Sequence, residues 1–181
     1  MKDTLIATLA ALGVLAQIGI GVLVVAAVAW RVSPAARTAL GPARESLRAG
    51  GVWLAWVVAL TATVGSLYFS EGAGFIPCRL CWFQRICMYP LVAVLLVGAL
   101  LRDRRAIWYA LPLPVIGAVI SIYHIYIENH PEAELSGCKV GGTSCATKWI
   151  NEFGYMTIPT LALSAFVLIG LLLTLGRRAA D

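Results

Sequence analysis

Apolar residues occupy five long runs along the chain, and polar residues gather in the segments between them. A helix needs about 20 apolar residues to cross the hydrocarbon core of a bilayer. Because hydrocarbon offers no partner to backbone N–H and C=O groups, we interpret the runs as helices. The five predicted membrane helices are Thr4–Trp30, Val52–Phe69, Trp82–Leu101, Ile107–Ile127 and Thr157–Gly176.

The composition agrees with a membrane protein. Of the 181 residues, 60% are hydrophobic and only 13% are charged, and the mean hydropathy is +0.85. A soluble domain has roughly 45–50% apolar and about 25% charged residues. The net charge of +5 comes from Lys and Arg beside apolar runs. It therefore indicates orientation in the membrane, and we expect no nucleic-acid partner.

The connections between the runs alternate in charge. Residues 30–51, 102–105 and 177–181 carry an excess of arginine, whereas residues 70–77 and 128–156 carry an excess of acidic side chains. Basic connections stay in the cytoplasm. The predicted orientation therefore places the N-terminus and the two acidic connections outside, and the C-terminus in the cytoplasm.

The first run has a second interpretation as a secretory signal peptide. Lys2 precedes it, and Ala27–Ala29 has the small residues of a cleavage site. The run is much longer than the roughly 7–15 residues of a signal's apolar region, so we favour a retained helix. The following segment, 33–51, contains several Pro and Gly residues. We predict a cytoplasmic linker there, with some helix around 38–47.

Four of the five cysteines lie in the two regions assigned to the outside, where disulfides persist. Cys78 and Cys81 form a CxxC pair, and Cys138 and Cys145 enclose a short loop that contains two glycines. Structural disulfides, a four-thiolate metal site and a redox site all remain open at this point. Cys87 lies in the third helix, and we interpret it as a small buried apolar residue.

Arg85 favours the redox interpretation. It follows Cys81 by four residues, so the two side chains share a helix face. Pro77 precedes the pair, which is typical of a helix start. Partial positive charge at a helix N-terminus and the nearby guanidinium both favour a reactive thiolate at Cys81. An arginine whose head reaches the membrane surface is the simpler alternative. Gln84 adds a second polar group near this face, where it either hydrogen-bonds a carbonyl of a bound cofactor or is satisfied at the membrane surface.

The segment "PCRLCWFQRICMYPL", Pro77–Leu91, resembles the signature of the DsbB family of disulfide-bond formation proteins, in which arginine follows a CxxC by four residues. Cys145–Phe166 is similar to the BdbC branch of that family, including an Ile158-Pro159 entry to the last helix. The resemblance covers about 53–176. It implies a quinone-dependent thiol oxidoreductase in the bacterial cell membrane.

The resemblance also implies the architecture. We expect an all-α integral membrane protein, with a four-helix transmembrane bundle of the DsbB type and one extra N-terminal helix. The expected organisation is an N-terminal helix with an arginine-rich linker over 1–51, the redox core over 52–176 and a cytoplasmic tail over 177–181.

The roles implied for the cysteines form a relay. Cys78 and Cys81 match the pair next to the quinone, with Cys81 facing it, and Arg85 matches the arginine beside it. Cys138 and Cys145 match the pair that exchanges with a soluble or anchored thioredoxin-like thiol oxidase of the DsbA or BdbD type, and we expect Cys138 to form the mixed disulfide. The electrons then pass to menaquinone or ubiquinone and to the respiratory chain.

Two further features carry expectations. His124 lies near the outer end of the fourth helix, where it either hydrogen-bonds the quinone or is satisfied within the bundle. Trp149, Ile150 and Phe153 fall on one side of a predicted helix, which lies on the membrane surface or caps the bundle.

Several alternatives to this function remain. In one alternative, the electrons flow in the opposite direction through the same cysteine pairs. In another, the acceptor pair resembles that of the vitamin K epoxide reductase type. A different class is a non-enzymatic membrane protein with structural disulfides or a thiol metal site.

Overall fold

The structure is a computed structural model that describes residues 2–103, 105–134, 138 and 143–176. The predicted tail 177–181 and most of the loop between Cys138 and Cys145 lie outside these residues. Within them the α-helices are α1 Lys2–Val32, α2 Pro34–Leu67, α3 Arg79–Leu100, α4 Ala106–Ala110, α5 Pro112–Asn129 and α6 Ile158–Leu175. A π-helical turn, Tyr68–Gly72, continues α2, and a 3₁₀ turn, Pro131–Ala133, follows α5.

Five spans in the described part are long and apolar enough to cross a membrane, with α4 and α5 together forming one of them. The ring of the bundle runs α2, α3, α5, α6 and back to α2, and α1 packs outside it against α6 and α2. The predicted all-α fold with an extra N-terminal helix is therefore confirmed. Large side chains of α3 and α6 fill the bundle core, among them Leu91, Leu95, Phe166 and Ile169.

The prediction of a linker over 33–51 was wrong, because this segment forms the first half of α2. Ser33 has an extended backbone (φ −117°, ψ 124°), and its hydroxyl accepts a hydrogen bond from the Ala36 N–H. Pro34 supplies the fixed φ of a first helical residue. Pro42 sits inside the helix without ending it. Only the helix expected around 38–47 is confirmed.

Helices α1 and α2 form a hairpin that is held at its basic end. The Arg37 guanidinium donates hydrogen bonds to the carbonyls of Trp30 (3.0 Å) and Arg31 (3.2 Å), which are left free where α1 ends. The Arg44 guanidinium lies 4.8 Å from the centre of the Trp30 ring. With 34 residues, α2 is about 51 Å long. It therefore extends beyond a hydrocarbon core of about 30 Å.

The fourth span consists of two pieces because of a proline. Pro112 has no N–H to continue the hydrogen-bonding ladder of α4, and it becomes the first residue of α5. The predicted span Ile107–Ile127 is confirmed in extent, with a break at Leu111.

The predicted surface helix through Trp149, Ile150 and Phe153 is absent from the described residues, and that prediction was wrong. Phe153 (φ 55°) and Gly154 (φ 77°) both adopt left-handed backbone conformations, which interrupt an α-helix. The chain turns back on itself there, and Glu152 pairs with Met156 through two backbone hydrogen bonds of 3.1 and 2.8 Å.

Close contact between α5 and α6 depends on Gly117. A Cβ at this position would lie 2.3–2.6 Å from atoms of the Phe166 ring, whereas a Cβ at Gly170 would meet nothing within 4 Å. We expect Gly117→Ala to lower the free energy of unfolding by about 1–3 kcal/mol, measured as thermal unfolding in detergent. Gly170→Ala is the matched control. A change from Gly to Ala in a helix interior raises the free energy of unfolding by roughly 0.5–1 kcal/mol. Equal effects of the two variants would contradict the packing argument.

Candidate functional site

The CxxC pair lies where α3 begins. Cys78 is the residue just before the helix, with an extended backbone, and its carbonyl accepts from the Trp82 N–H at 3.1 Å. Cys81 is in the first turn of α3. The Cys78 thiol donates to the Cys81 sulfur across 3.3 Å. The short spacing and the helix start therefore bring the two sulfurs together without help from the rest of the fold.

The second cysteine pair, Cys138 and Cys145, lies against the CxxC pair. The Cys145 thiol is buried and lies 3.3 Å from the Cys138 carbonyl oxygen, and it also hydrogen-bonds with the Cys78 thiol. These residues pack with Leu80 and Ile127 in one buried cluster. All five cysteines lie in the described part and are present as thiols. The four predicted redox cysteines are thus brought together, with Cys145 against Cys78.

The thiols outside the helices are held protonated. The pKa of Cys145 is raised by its hydrogen bond to Cys78 and by burial, and burial raises the pKa of Cys138 to about 11. At Cys78, the hydrogen bond from Cys145 lowers the pKa, but the hydrogen bond to Cys81 and burial outweigh it and bring the value to about 12. Because the thiolate is the nucleophile in disulfide exchange, these reduced cysteines react slowly at neutral pH until a base takes their protons.

Glu134 positions Cys145, and sequence reasoning missed this role of the glutamate. The Glu134 carboxylate accepts hydrogen bonds from the Ser144 hydroxyl and from the Cys145 backbone N–H, both at 2.5 Å. In the sequence Glu134 is one of several acidic residues in an acidic connection, and only the folded loop shows that it faces the cysteine. An acidic residue eleven positions before a cysteine carries no recognisable local signal.

His124 lies between the two cysteine pairs. Its Nε2 is 3.0 Å from the Cys145 carbonyl oxygen and 3.6 Å from the Cys78 sulfur, and its Nδ1 is buried without a hydrogen-bond partner. Since a carbonyl only accepts, Nε2 carries a hydrogen. The His124 ring does not line the cavity of about 430 Å³ beside Cys81, so its contacts favour a role at the cysteines over the predicted contact with a quinone.

A cavity of about 430 Å³ opens beside Cys81. Its lining is mostly aliphatic and aromatic, and side chains of α1, α2, α3 and α6 contribute to it. Among the lining residues are three with polar groups at the start of α3 or just after it, namely Cys81, Gln84 and Arg85. Ligand sites are commonly of this kind, largely apolar with a few polar groups that fix orientation.

The Arg85 side chain is held against α2. Its Nε donates to the Ser66 hydroxyl at 3.0 Å and its Nη2 donates to the Ser66 carbonyl at 2.9 Å. The guanidinium lies 5.2 Å from the centre of the Trp82 ring, and the Tyr89 hydroxyl also donates to the Ser66 hydroxyl. Arg85 is therefore a fixed charge beside the cavity, and Ser66 is a second residue that sequence reasoning missed.

Gln84 faces the bundle interior from α3. It is buried, and its amide donates to the Ser121 hydroxyl at 3.0 Å, which in turn donates to the Gly117 carbonyl. This places an amide of fixed orientation at the inner side of the cavity. Cys87 packs in the apolar core and is not part of this group, as predicted.

Comparison with known proteins identifies the family. A model of the family described as "Disulfide bond formation protein DsbB" matches residues 48–176, from the middle of α2 to the end of α6. The chain belongs to the DsbB family. It is a multi-pass membrane protein of disulfide bond formation, within the BdbC-like branch.

Curated relatives support the same branch. "Disulfide bond formation protein C" of Bacillus subtilis is 52% identical over 120 residues, covering 65% of this chain and 86% of the relative. "Probable disulfide formation protein C 1" of Bacillus anthracis is 44% identical over 126 residues, 70% and 91% of the two chains. "Probable disulfide formation protein" of Metapseudomonas resinovorans is 41% identical over 127 residues, which cover 69% of this chain and 88% of the relative. No solved structure was found to match the chain.

A substitution tests the role of Glu134 in this DsbB-family protein. We expect Glu134→Gln to slow oxidation of a thiol substrate by about tenfold, since an amide has a single, neutral acceptor oxygen, whereas the carboxylate uses both of its oxygens to accept from Ser144 and from Cys145. The measurement is the rate of thiol loss from a reduced thioredoxin-like protein. Glu132→Gln in the exposed 3₁₀ turn is the matched control, and equal rates for the two variants would exclude the positioning role.

Proposed function

We propose that this chain is a protein-disulfide:quinone oxidoreductase that reoxidises an extracytoplasmic thioredoxin-like thiol oxidase of the DsbA or BdbD type. One observation carries the proposal: Cys145, Cys78 and Cys81 form a continuous line of sulfur contacts, and Cys81 lines an apolar cavity. Such a line joins a thiol donor in water to an acceptor in lipid. Membership in a family of disulfide bond formation proteins supports the same chemistry.

The charge distribution supports an orientation with the cysteines outside. Arg31 lies in the last turn of α1, and Arg37, Arg44 and Arg48 lie in the first half of α2, on the side of the hairpin where α1 and α2 are joined. The cysteines lie after the other end of α2 and before α6. By the preference of basic residues for the cytoplasm, the cysteine end faces the oxidising compartment, where a thiol oxidase acts.

The residues present fit a membrane quinone. A ring and an isoprenoid tail need an apolar cavity open to lipid, and a guanidinium would stabilise the negative charge that develops on the ring before it accepts protons. Cys81 and the Arg85 charge lie along the same cavity, with the Gln84 amide between them in sequence. When bound, a quinone supplies the oxidant that takes two electrons and two protons from the cysteines.

In the first half of the relay, the partner's thiolate attacks the Cys138 sulfur of a Cys138–Cys145 disulfide. Cys145 leaves with the electron pair. The Cys145 thiolate then attacks Cys78, and Cys81 leaves as a thiolate. The contact between Cys145 and Cys78 provides the short approach that this exchange requires.

In the second half, the partner's remaining thiol attacks its own sulfur in the mixed disulfide and frees Cys138. Cys138 attacks Cys145 and restores the Cys138–Cys145 bond, which frees Cys78. The chain then holds a reduced CxxC pair, from which a bound quinone would take two electrons and two protons as the Cys78–Cys81 disulfide forms again. Cys81 lies in the first turn of α3 and lines the cavity together with Arg85, so the helix N-terminus and the guanidinium both place positive charge near this sulfur.

The contacts of His124 argue against a metal site formed by Cys78, Cys81 and His124. The sulfurs of Cys78 and Cys81 and a nitrogen of His124 lie within 4.8 Å of one another. However, His124 Nε2, the nitrogen next to Cys78, already donates its hydrogen to the Cys145 carbonyl. A nitrogen that carries a hydrogen has no lone pair for a metal, so the geometry favours thiol exchange.

The test mixes purified protein, a reduced thioredoxin-like partner and a quinone, and follows quinone absorbance together with partner thiols. We expect catalytic oxidation of the partner with one quinone reduced per partner disulfide. Without quinone, an oxidised chain is limited to about two partner disulfides, the number of its own cysteine pairs. Partner oxidation that continues without quinone, or quinone reduction without partner oxidation, would exclude the proposal.

A further inference from the structure

Helix α1 forms one side of the cavity beside Cys81, although it lies outside the part of the chain that matches the DsbB family model. The family match begins at residue 48, whereas α1 spans Lys2–Val32. Its contribution to the cavity lining consists of small and aliphatic residues, namely Leu9, Leu12, Gly13, Leu15 and Ala16.

The contacts that hold α1 lie at the same level as the cavity. Gly13 allows the helix to approach α6 closely, since a Cβ there would lie 2.3 Å from a Leu161 methyl carbon. Gln17 donates to the Ser164 hydroxyl at 3.1 Å and accepts from the Tyr155 hydroxyl at 2.9 Å. Small residues and interhelical hydrogen bonds are the usual means of helix association in lipid.

The two ends of the cavity differ in chemistry. Cys81 and Arg85 lie at one end, where Arg85 is bound to Ser66 of α2. Val57 precedes Ser66 by nine residues along α2, so it lies about 13 Å deeper, and it lines the same cavity as Leu168. On the α1 side, a Cβ at Gly19 would contact the Leu168 side chain at 4.0 Å, which places the nearby Ala16 toward this apolar end.

We propose that α1 is the lateral wall of the quinone site and that Ala16 borders the part that holds the isoprenoid tail. The wall sets how long a tailed quinone stays bound and which tail fits, while the reacting end between α2 and α3 remains as in the family core. The inference rests on the proposed function, because it assigns the cavity to the quinone named there.

The test uses the full chain with Ala16→Trp, whose indole fills the apolar end of the cavity. Its matched control is Ala11→Trp, which places the same side chain on an exposed position of α1 that does not line the cavity. Two readouts are measured: quinone retained per chain after purification, by solvent extraction and absorbance, and KM for a long-tailed and a tail-less quinone.

For Ala16→Trp we expect severalfold less retained quinone and a KM about tenfold higher for the long-tailed quinone. The KM for the tail-less quinone and all values for Ala11→Trp should match the unsubstituted chain. Ala16→Val, with only two added carbons, should shift both readouts less and in the same direction, which tests the inference even where the tryptophan variant misfolds.

Equal retention and equal KM for the Ala16 variants and Ala11→Trp would overturn the assignment of α1 and leave the proposed function standing. An unsubstituted chain that neither retains nor reduces any quinone would instead overturn the proposed function, and this inference with it.

Discussion

Cys81→Ser is expected to stop quinone reduction, with a loss of at least about a thousandfold, because it removes the sulfur that closes the CxxC disulfide at the cavity. The remaining Cys138–Cys145 pair still accepts electrons once. A pre-oxidised variant should therefore oxidise about one partner disulfide per chain and then stop, against about two for the unsubstituted chain without quinone. Partner thiols and quinone absorbance are measured in the same sample.

Cys87→Ser is the matched control for this experiment. Cys87 lies on the same helix but packs in the apolar core with Met88 and Leu91. A serine hydroxyl in a helix can donate to the backbone carbonyl four residues earlier, so we expect stoichiometry and turnover near those of the unsubstituted chain. Continued quinone reduction by Cys81→Ser, or equal losses in both variants, would contradict the role assigned to Cys81.

The spans and the CxxC site were predictable because their signals are local. A run of apolar residues is enough to predict a membrane helix, and the spacing of Cys78 and Cys81 before α3 is enough to bring their sulfurs together. The position of Cys145 against Cys78 depends instead on how the acidic connection folds. That fold involves Glu134 and His124, which come from separate segments, so no short pattern predicts it.

The two wrong predictions, the linker and the surface helix, have physical causes that composition and periodicity do not reveal. Residues 33–51 contain Pro and Gly and were predicted as a linker, but Pro34 begins a helix and Gly51 allows close packing, since a Cβ there would lie 3.1 Å from the Leu172 carbonyl. The surface helix was predicted from the periodicity of Trp149, Ile150 and Phe153. The periodicity has another cause: Ile150 is buried, and Trp149 stacks on Phe75 with ring centres 5.2 Å apart.

The membership of α1 in the site was beyond sequence reasoning. Its apolar residues are compatible with a membrane anchor, a signal peptide or a helix that lines a cavity. Periodicity alone does not say which neighbour a lipid-embedded helix contacts. Gly13 and Gln17 are the residues that fix its place, through contacts with segments more than a hundred residues away.

Arg85→Gln should lower quinone turnover by roughly a hundredfold, comparable to the loss of one donor that stabilises a developing anion. The variant retains hydrogen-bonding capacity toward Ser66 but lacks the charge beside Cys81 and the cavity. We expect the first transfer, from the partner to the cysteine pairs, to remain within a few-fold of the unsubstituted chain. Rapid-mixing measurements of partner thiols without quinone, followed by quinone addition, separate the two steps.

Two further variants define what Arg85 contributes. Arg85→Lys keeps the charge but lacks the fork that binds both the hydroxyl and the carbonyl of Ser66, so we expect a loss of about tenfold. Arg31→Gln removes an arginine at the opposite end of the hairpin and serves as the control, with turnover unchanged. A structural role alone would lower the thermal unfolding midpoint of Arg85→Gln and slow both transfers together. A selective loss of the quinone step at an unchanged midpoint is the result that the fixed charge beside the cavity predicts.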